Sequence, residues 1–497
     1  MKLKTILIVT LHLVSIISNA QTIQDKIDSF IENTLNEFSE IPSLAITIVK
    51  DDKAFFTNAY GYSDIENKVK TNTNTVYYIA SVTKSFVGLL ASQLEADGVI
   101  DLDKPITEYA PIKNFEDNLV FQGVTIKDLL SHTSGIRNGF FTWRYASIGD
   151  YTNDDMIKLL EEKTVSLKNN KSYRYDNFGY NVFDLILSQE FNLNWKEELE
   201  KRIFKPLNFK NTSALYLKAQ NSQWKLAQPY TAINENRLPN LALTQKNEQT
   251  FQAAGGMVMS IEDAQKWLLF NINKGKLEGE QMYSENILNK SHTSIADTNQ
   301  KGDIFQDVGY GLGYKNGLFR NEKVIYHLGG FDGYFAHMSF MPEKKFGIAV
   351  FANESHFGDN VSNLIASFVY DLLLGNVSSI SDYDDEIEKV KQRIANIQAS
   401  FDADRTNRSD RKWTLMHDFD KYEGKYENKY AGLMQVKMYD KTLKINLGIS
   451  TSFASPSTKD DSVRVEFRDG QGTDILFISN EKEVLALVYG GNVYLKK

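Results

Sequence analysis

Cysteine is absent from all 497 residues. That absence excludes a disulfide framework, a thiol nucleophile, a thiolate metal site and a cysteine-linked lipid anchor. Proline is scarce, at 8 residues, and the 30 glycines follow no fixed period, which argues against a fibrous or low-complexity chain. Neither sign of charge dominates. The 56 basic and 64 acidic residues leave a formal charge of −8, which gives no electrostatic reason to bind nucleic acid. The G-x-S-x-G and H-E-x-x-H patterns are both missing, and seven histidines leave few ligands, so neither a nucleophile-elbow triad nor a zinc hydrolase is supported. No cofactor and no metal are implied.

Long apolar runs are also lacking, apart from the N-terminus. Lys2 and Lys4 precede a mostly apolar stretch from Ile6 to Ile17, and Ser18-Asn19-Ala20 offers small residues before Gln21. This is the pattern of a secretory signal peptide over 1–20, too short for a membrane span of about 20 residues. The expectation is an exported protein, periplasmic or secreted, with no membrane span after cleavage. With 42% hydrophobic and 12% aromatic residues, the rest holds enough apolar material for a large core without disulfides.

The remaining pattern divides into a long mixed region and a short β-rich one. A helix is expected from Ile23 to Phe38, then a hairpin of Ser43–Lys50 and Ala54–Tyr60 turning at Asp51-Asp52. Val76–Ala80 reads as a strand leading into Ser81, and Val82–Ala96 as a buried helix with Phe86, Val87, Leu89, Leu90 and Leu94. Residues from about 100 to 300 read as mostly helical. Thr125 and Ser260 look like helix starts, each with an aspartate three residues on, Asp128 and Asp263. Lys323–His327, Tyr334–Met341 and Phe346–Phe351 read as strands, and Asn360–Leu374 as an amphipathic helix. Asp382–Lys412 reads as a charged linker helix. From 413 onward, β-rich runs such as Thr442–Leu447 and Val484–Tyr489 predict a small antiparallel barrel or sandwich. The expected organisation is a 21–375 catalytic domain, a 376–412 linker and a 413–497 all-β domain.

Three segments could carry chemistry. In Ser81-Val82-Thr83-Lys84, a lysine three residues along a helix shares a face with the serine. If burial holds its amine neutral, it can take the proton that makes the hydroxyl nucleophilic. A serine at a helix N-terminus also offers a backbone N–H to an oxyanion. The same spacing recurs at Ser222/Lys225, Ser409/Lys412 and Ser479/Lys482; only Ser81 joins a strand-like run to a hydrophobic helix, where it could equally be a plain helix cap. In Tyr175-Asp176-Asn177, a phenol can relay a proton and an amide can hold a substrate carbonyl or orient the lysine. The bare pattern recurs at Tyr151, Tyr314 and Tyr426, and a turn with packed aromatics is the plain alternative. In His327-Leu328-Gly329-Gly330, paired glycines let a ligand approach the backbone, and the Gly330 N–H could serve as second oxyanion donor. His327 could orient substrate or protons, although a lone histidine is more often structural.

Taken in order, S-x-x-K, Y-x-N and a strand-borne triad in place of K-T-G resemble the serine β-lactamase and penicillin-binding-protein superfamily. The resemblance is to the class C β-lactamase, D,D-peptidase, D-aminopeptidase and esterase-like branch. It extends to Leu129–Ile136, Ala254–Ser260, Gly309–Gly313 and Asn353, and covers about residues 25 to 375. It implies a β-lactamase/transpeptidase-like α/β (α+β) fold: an antiparallel sheet flanked by helices, with an all-helical region beside it. It also implies roles: Ser81 as nucleophile, Lys84 as base, Tyr175 as proton relay, Asn177, His327 and Gly329 as substrate binders, and Ser81 and Gly330 as oxyanion donors. The activity implied is hydrolysis of an amide, peptide or ester through an acyl-enzyme, on a small-molecule or peptide substrate. β-Lactam hydrolysis and a non-catalytic binding role on the same fold are the alternatives. Histidine and leucine stand where β-lactamases carry the lysine and threonine that help hold a substrate carboxylate, which weighs against β-lactam hydrolysis.

Overall fold

The computed structural model describes residues 23–167, 171–221, 223–244, 246–302 and 304–497; the expected signal peptide lies outside these. A nine-stranded antiparallel sheet is the frame of the larger part. Its strand order is Ala296–Lys301, Gln306–Tyr310, Lys315–Phe319, Glu322–Phe331, Tyr334–Met341, Phe346–Ala352, Ser43–Lys50, Lys53–Asp64, Val69–Lys70. The N-terminal hairpin thus joins the late strands through Ser43–Lys50, with Ile48 paired to Ile348.

The central strands are apolar at nearly every position because both faces are covered. Leu44, Ile46, Ile48, Ile348 and Val350 face one layer, which contains Ile27, Phe30, Ile365 and Phe368. Those residues come from helix 23–37 and the Gly358–Leu374 helix, and the Phe30 and Phe368 rings stack at 3.8 Å. Ala45, Val49, Ala349 and Phe351 face the other layer, with Trp267, Phe86 and Phe183. This two-residue alternation places two different cores on one sheet.

Helix starts follow the capping chemistry anticipated. Thr125 and Asp128 form a capping box at Ile126–Leu130, and Ser260 accepts from the Asp263 N–H at Ile261–Ile272. Three features depart from expectation. The strand Ala296–Lys301 begins at the end of the region read as mostly helical, and Gln306–Tyr310 and Lys315–Phe319 lie in a stretch given no strand by the sequence; all three sit at one side of the sheet, the first with polar side chains such as Asp297, Asn299 and Gln300. The strand expected to end at His327 continues through both glycines to Phe331. The charged helix spans Asp384–Thr406, shorter than its polar stretch at both ends.

The C-terminal part is a second nine-stranded antiparallel sheet, beginning with Ser450–Phe453 at one edge and ending with Ser455–Pro456 at the other. Only Ala454 separates those two edges along the chain, and the Glu466 N–H donates to Ser452 Oγ across the gap at 2.8 Å. The sheet therefore curls into a nearly closed barrel, which hides most of its edge hydrogen-bonding groups. Its core contains Tyr422, Tyr426, Met434, Val463, Ile475 and Leu487, and also Ile148 from the larger part. A short helix, Gly139–Trp143, runs into a wider turn, Arg144–Ile148, that inserts Ile148 there. The Ile449 N–H donates to the Ile148 carbonyl at 2.9 Å. A second clamp joins the Arg468 guanidinium to Asp332, two bonds of 2.8 and 2.6 Å.

Ile148 is 1% exposed. Ile148→Ala is expected to cost about 2–4 kcal/mol through the cavity it leaves. The loss should appear in the barrel transition, followed by Trp413 fluorescence during urea unfolding. An unchanged barrel midpoint would show that the two parts fold without this contact.

Candidate active site

Ser81 sits on a tight turn, Ala80–Val82, between the Val76–Tyr78 strand and the Thr83–Ala96 helix. Ala80 holds φ +44°, in the left-handed region that alanine rarely adopts, so the turn carries strain of roughly 1–3 kcal/mol. The turn is held from behind by the Glu322–Phe331 strand. A Cβ on Gly329 would lie 2.1 Å from the Ile79 carbonyl oxygen and 3.1 Å from the Ser81 nitrogen, so only glycine lets the strand come this close. From the other side, Gly313 (φ +82°) crosses the first helical turn, where a Cβ would sit 2.0 Å from the Lys84 carbonyl oxygen.

Lys84 is wholly buried. Its Nζ lies 2.6 Å from the Ala254 carbonyl, 2.7 Å from Asn177 Oδ1 and 3.1 Å from Ser81 Oγ. Among the described residues no carboxylate pairs with it. Burial pushes its pKa well below the ordinary lysine value, against the weaker opposing pull of the Asp176 carboxylate. An uncharged amine has two N–H donors and one lone pair. The two shorter contacts are to oxygens that can only accept, so they take the two donors and leave the lone pair to receive the Ser81 hydroxyl proton.

Tyr175 and Asn177 approach from the segment that precedes the Phe178–Phe191 helix. The Lys84 amine is 5.0 Å from the centre of the Tyr175 ring. Tyr175 as a residue is 39% exposed, but burial of its hydroxyl raises the phenol's pKa, with a side-chain hydrogen bond to Ser81 opposing. It therefore stays a phenol, a proton donor rather than a base. Asp176 points elsewhere: its Oδ1 accepts from the Phe178 N–H at 2.9 Å and from Thr142 Oγ1 at 3.3 Å.

His327 faces the same side, its ring 6.1 Å from that of Tyr175. His327 Nδ1 is 2.7 Å from the Leu328 carbonyl, which fixes the proton on Nδ1, and Nε2 is left to accept from the Tyr310 hydroxyl at 3.2 Å. Burial first, and the nearby Lys84 second, push its pKa well below the ordinary histidine value. Leu328 packs with the apolar cluster of the opposite sheet face, so a hydroxyl at that position would point away from Ser81. This removes Leu328 from the contrast with β-lactamases and leaves His327. Gly330 is exposed, paired in register with Phe335, and meets nothing closer than 4.0 Å where a Cβ would stand.

The structure thus gathers Ser81, Lys84, Tyr175, Asn177, His327 and Gly329 in one place, with Gly330 at the open end of the strand. The competing pairs are not comparable: Ser409 is exposed beyond the charged helix, Ser479 ends a barrel strand, and Ser222 lies outside the described residues. Two residues without an assigned role from sequence belong to the site. His132 (φ +61°) accepts from the Asp176 N–H at 3.3 Å, and its ring lies 4.5 Å from Tyr175 and 4.6 Å from Tyr310. Tyr310 in turn holds His327. Both fall in segments that carry the family resemblance, which was the only available signal. Among the described residues, Glu95, Asp101 and Asp103 are the one group of acidic side chains close enough to share a cation. They lie at the far end of the Thr83–Ala96 helix from Ser81, and Lys290 and Lys127 already pair with Glu95 and Asp103.

A model of the Beta-lactamase family matches residues 31–368. Among curated proteins, the chain is 27% identical over 334 residues to Protein flp of Staphylococcus aureus (strain MRSA252), covering 66% of this chain and 63% of that protein. It is 23% identical over 340 residues to Unguisins hydrolase ungD of Aspergillus violaceofuscus, covering 64% and 59%. The chain spans just under two thirds of the length of these relatives. Among solved structures, the octameric penicillin-binding protein homologue from Pyrococcus abyssi aligns with a TM-score of 0.61 at 22% identity, over 95% of this chain and 99% of that one. The D-amino acid amidase from Ochrobactrum anthropi SV3 aligns with a TM-score of 0.58 at 20% identity, over 71% and 99%. These two likenesses concern the fold. Among the described residues no helix is long and apolar enough to cross a membrane. With the family match running through more than half its length, the chain belongs to the Beta-lactamase family.

Proposed function

We propose that this protein hydrolyses an amide, peptide or ester through a covalent acyl-enzyme on Ser81. The observation that carries the reading is the buried Lys84 amine, 3.1 Å from the Ser81 oxygen and with no carboxylate paired to it among the described residues, whose pKa burial pushes well below the ordinary lysine value. Lys84 takes the hydroxyl proton as Ser81 Oγ attacks the carbonyl carbon. The backbone N–H groups of Ser81 and Gly330 receive the developing oxyanion. Tyr175 gives its proton to the leaving group and recovers one from the Lys84 ammonium, which restores the free amine, and Asn177 orients that amine and the substrate carbonyl. Water then cleaves the acyl-enzyme, with Lys84 again as base.

The substrate class favoured is a D-amino-acid peptide or amide, or a simple ester, over a β-lactam. An uncharged His327 stands where a lysine would meet the β-lactam carboxylate. The amidase and hydrolase names among similar proteins agree with this choice. A purely binding role is disfavoured because a buried amine with no ion-pair partner among the described residues lies within reach of a hydroxyl on a strained turn.

Two outcomes test this. A neutral acylating probe such as a fluorophosphonate should label the protein at Ser81, and Ser81→Ala should abolish labelling; full labelling of the variant removes Ser81 from the mechanism. The labelling rate should also rise with pH and level off well below the ordinary lysine pKa of 10.5, because the lowered Lys84 pKa marks where the amine becomes free. Lys84→Ala should remove that limb and slow acylation by about 10²–10⁴. A limb centred near the ordinary lysine value would mean that Lys84 is charged at rest.

A further inference from the structure

The barrel and the segment that carries Tyr175 line one cleft. A cleft of about 930 Å³ opens between the Arg137–Trp143 region and the barrel, reaching Arg174 and Asp176 on one side and Arg468 on the other. Arg174 and Asp176 are the chain neighbours of Tyr175, so the cleft is lined by the same short segment that carries the phenol. Arg468 grips Asp332, the residue that follows the end of the Gly329–Gly330 strand. The cleft therefore adjoins both segments that frame Ser81.

Its charge runs against that of the protein. Within a chain of formal charge −8, the cleft is lined by Arg137, Lys163, Arg174 and Arg468 against the single carboxylate of Asp176. Arg468 is committed to Asp332. Lys163 lies 4.0 Å over the Tyr430 ring, which leaves its charge unneutralised. The side chains of Arg137 and Arg174 are exposed and make no hydrogen bond or ion pair among the described residues. Asp176 has one oxygen occupied by Phe178 and Thr142. Two guanidiniums without partners among the described residues, in one cleft with Trp143 and Tyr489 (ring centres 6.2 Å apart), suit a group that is anionic at one end and apolar beside it.

We infer that this cleft is a subsite for substrates bearing a carboxylate remote from the scissile carbonyl, held by Arg137 and Arg174. It deepens and rests on the hydrolase reading. The guanidinium fork matches a carboxylate with two parallel bonds, and a positively lined cleft on an acidic protein also draws such a substrate inward. The barrel is then part of the specificity apparatus, because Trp143 and Tyr489 form that wall only while it stays docked.

The test uses matched chromogenic esters and the full chain. One pair differs in the acyl group, 4-nitrophenyl hydrogen glutarate against 4-nitrophenyl valerate. The other differs in the leaving group, 3-carboxyphenyl acetate against 3-carbamoylphenyl acetate. In at least one pair the carboxylate should be preferred about tenfold or more in kcat/KM. The preference should lie mainly in KM and shrink in 0.5 M salt. In Arg137→Gln/Arg174→Gln it should fall to about one, with each single change intermediate. Neither residue has a partner to lose, and an unchanged unfolding midpoint verifies that the double variant is folded. Absence of preference in both pairs, or a preference that survives the double change, overturns the subsite, as does failure to turn over any of the four in a protein whose Ser81 is labelled. A wild-type protein not labelled at Ser81 fails the hydrolase reading itself, and the subsite with it.

Discussion

Taking one ammonium group out of water shapes this site more than any attraction within it. A buried charged lysine with no counter-charge is costly, and burial accordingly pushes the Lys84 pKa well below the ordinary lysine value. The neighbourhood of Lys84 enforces that outcome: Tyr175 and Tyr180 rings on one side, the Ala254 carbonyl and Asn177 amide oxygen on the other, and no carboxylate in contact. The arrangement needs three remote stretches of chain to arrive together. The Ser81 turn arrives under backbone strain, and its tolerance of that strain follows from being wedged between the Gly329 strand and the Gly313 crossing.

The same desolvation extends to His327 and His132, whose imidazoles are pushed toward neutrality. The site thus contains several basic groups and little positive charge. Cationic side chains are found instead outside it, at the cleft that the barrel helps to form. On the proposed function, chemistry and recognition would occupy different dielectric settings: proton transfer in the buried interior, charged contacts at the rim where water still supports them.

Much of the frame was legible in the sequence because it obeys local rules. The strand alternation of Ser43–Lys50 and Phe346–Phe351, the apolar helix after Ser81, and the caps at Thr125 and Ser260 each state their structure within a few residues. The grouping of Ser81, Lys84, Tyr175 and Asn177 was legible only through resemblance, since Y-x-N alone recurs elsewhere without meaning. What stayed hidden has physical reasons. The strands from Ala296 to Phe319 carry polar side chains and show no apolar period. The passage of the Glu322–Phe331 strand through two glycines is dictated by a neighbour more than two hundred residues earlier. Which face Leu328 occupies, and which proton His327 keeps, follow from partners no spacing reveals. The docking of the barrel depends on Ile148 and Asp332, isolated residues in otherwise unremarked segments.

Ile148 belongs to the barrel by packing although nearly three hundred residues separate it from most of that core. The hydrophobic boundary between the two parts consequently does not coincide with any cut through the polypeptide. A fragment ending before the barrel would present Phe140, Trp143 and Ile148 to solvent as a sticky patch, and a barrel produced alone would open onto a hole. Recombination that exchanges C-terminal modules among related hydrolases would have to transplant this short loop as well, so the unit available for inheritance or engineering is discontinuous along the gene.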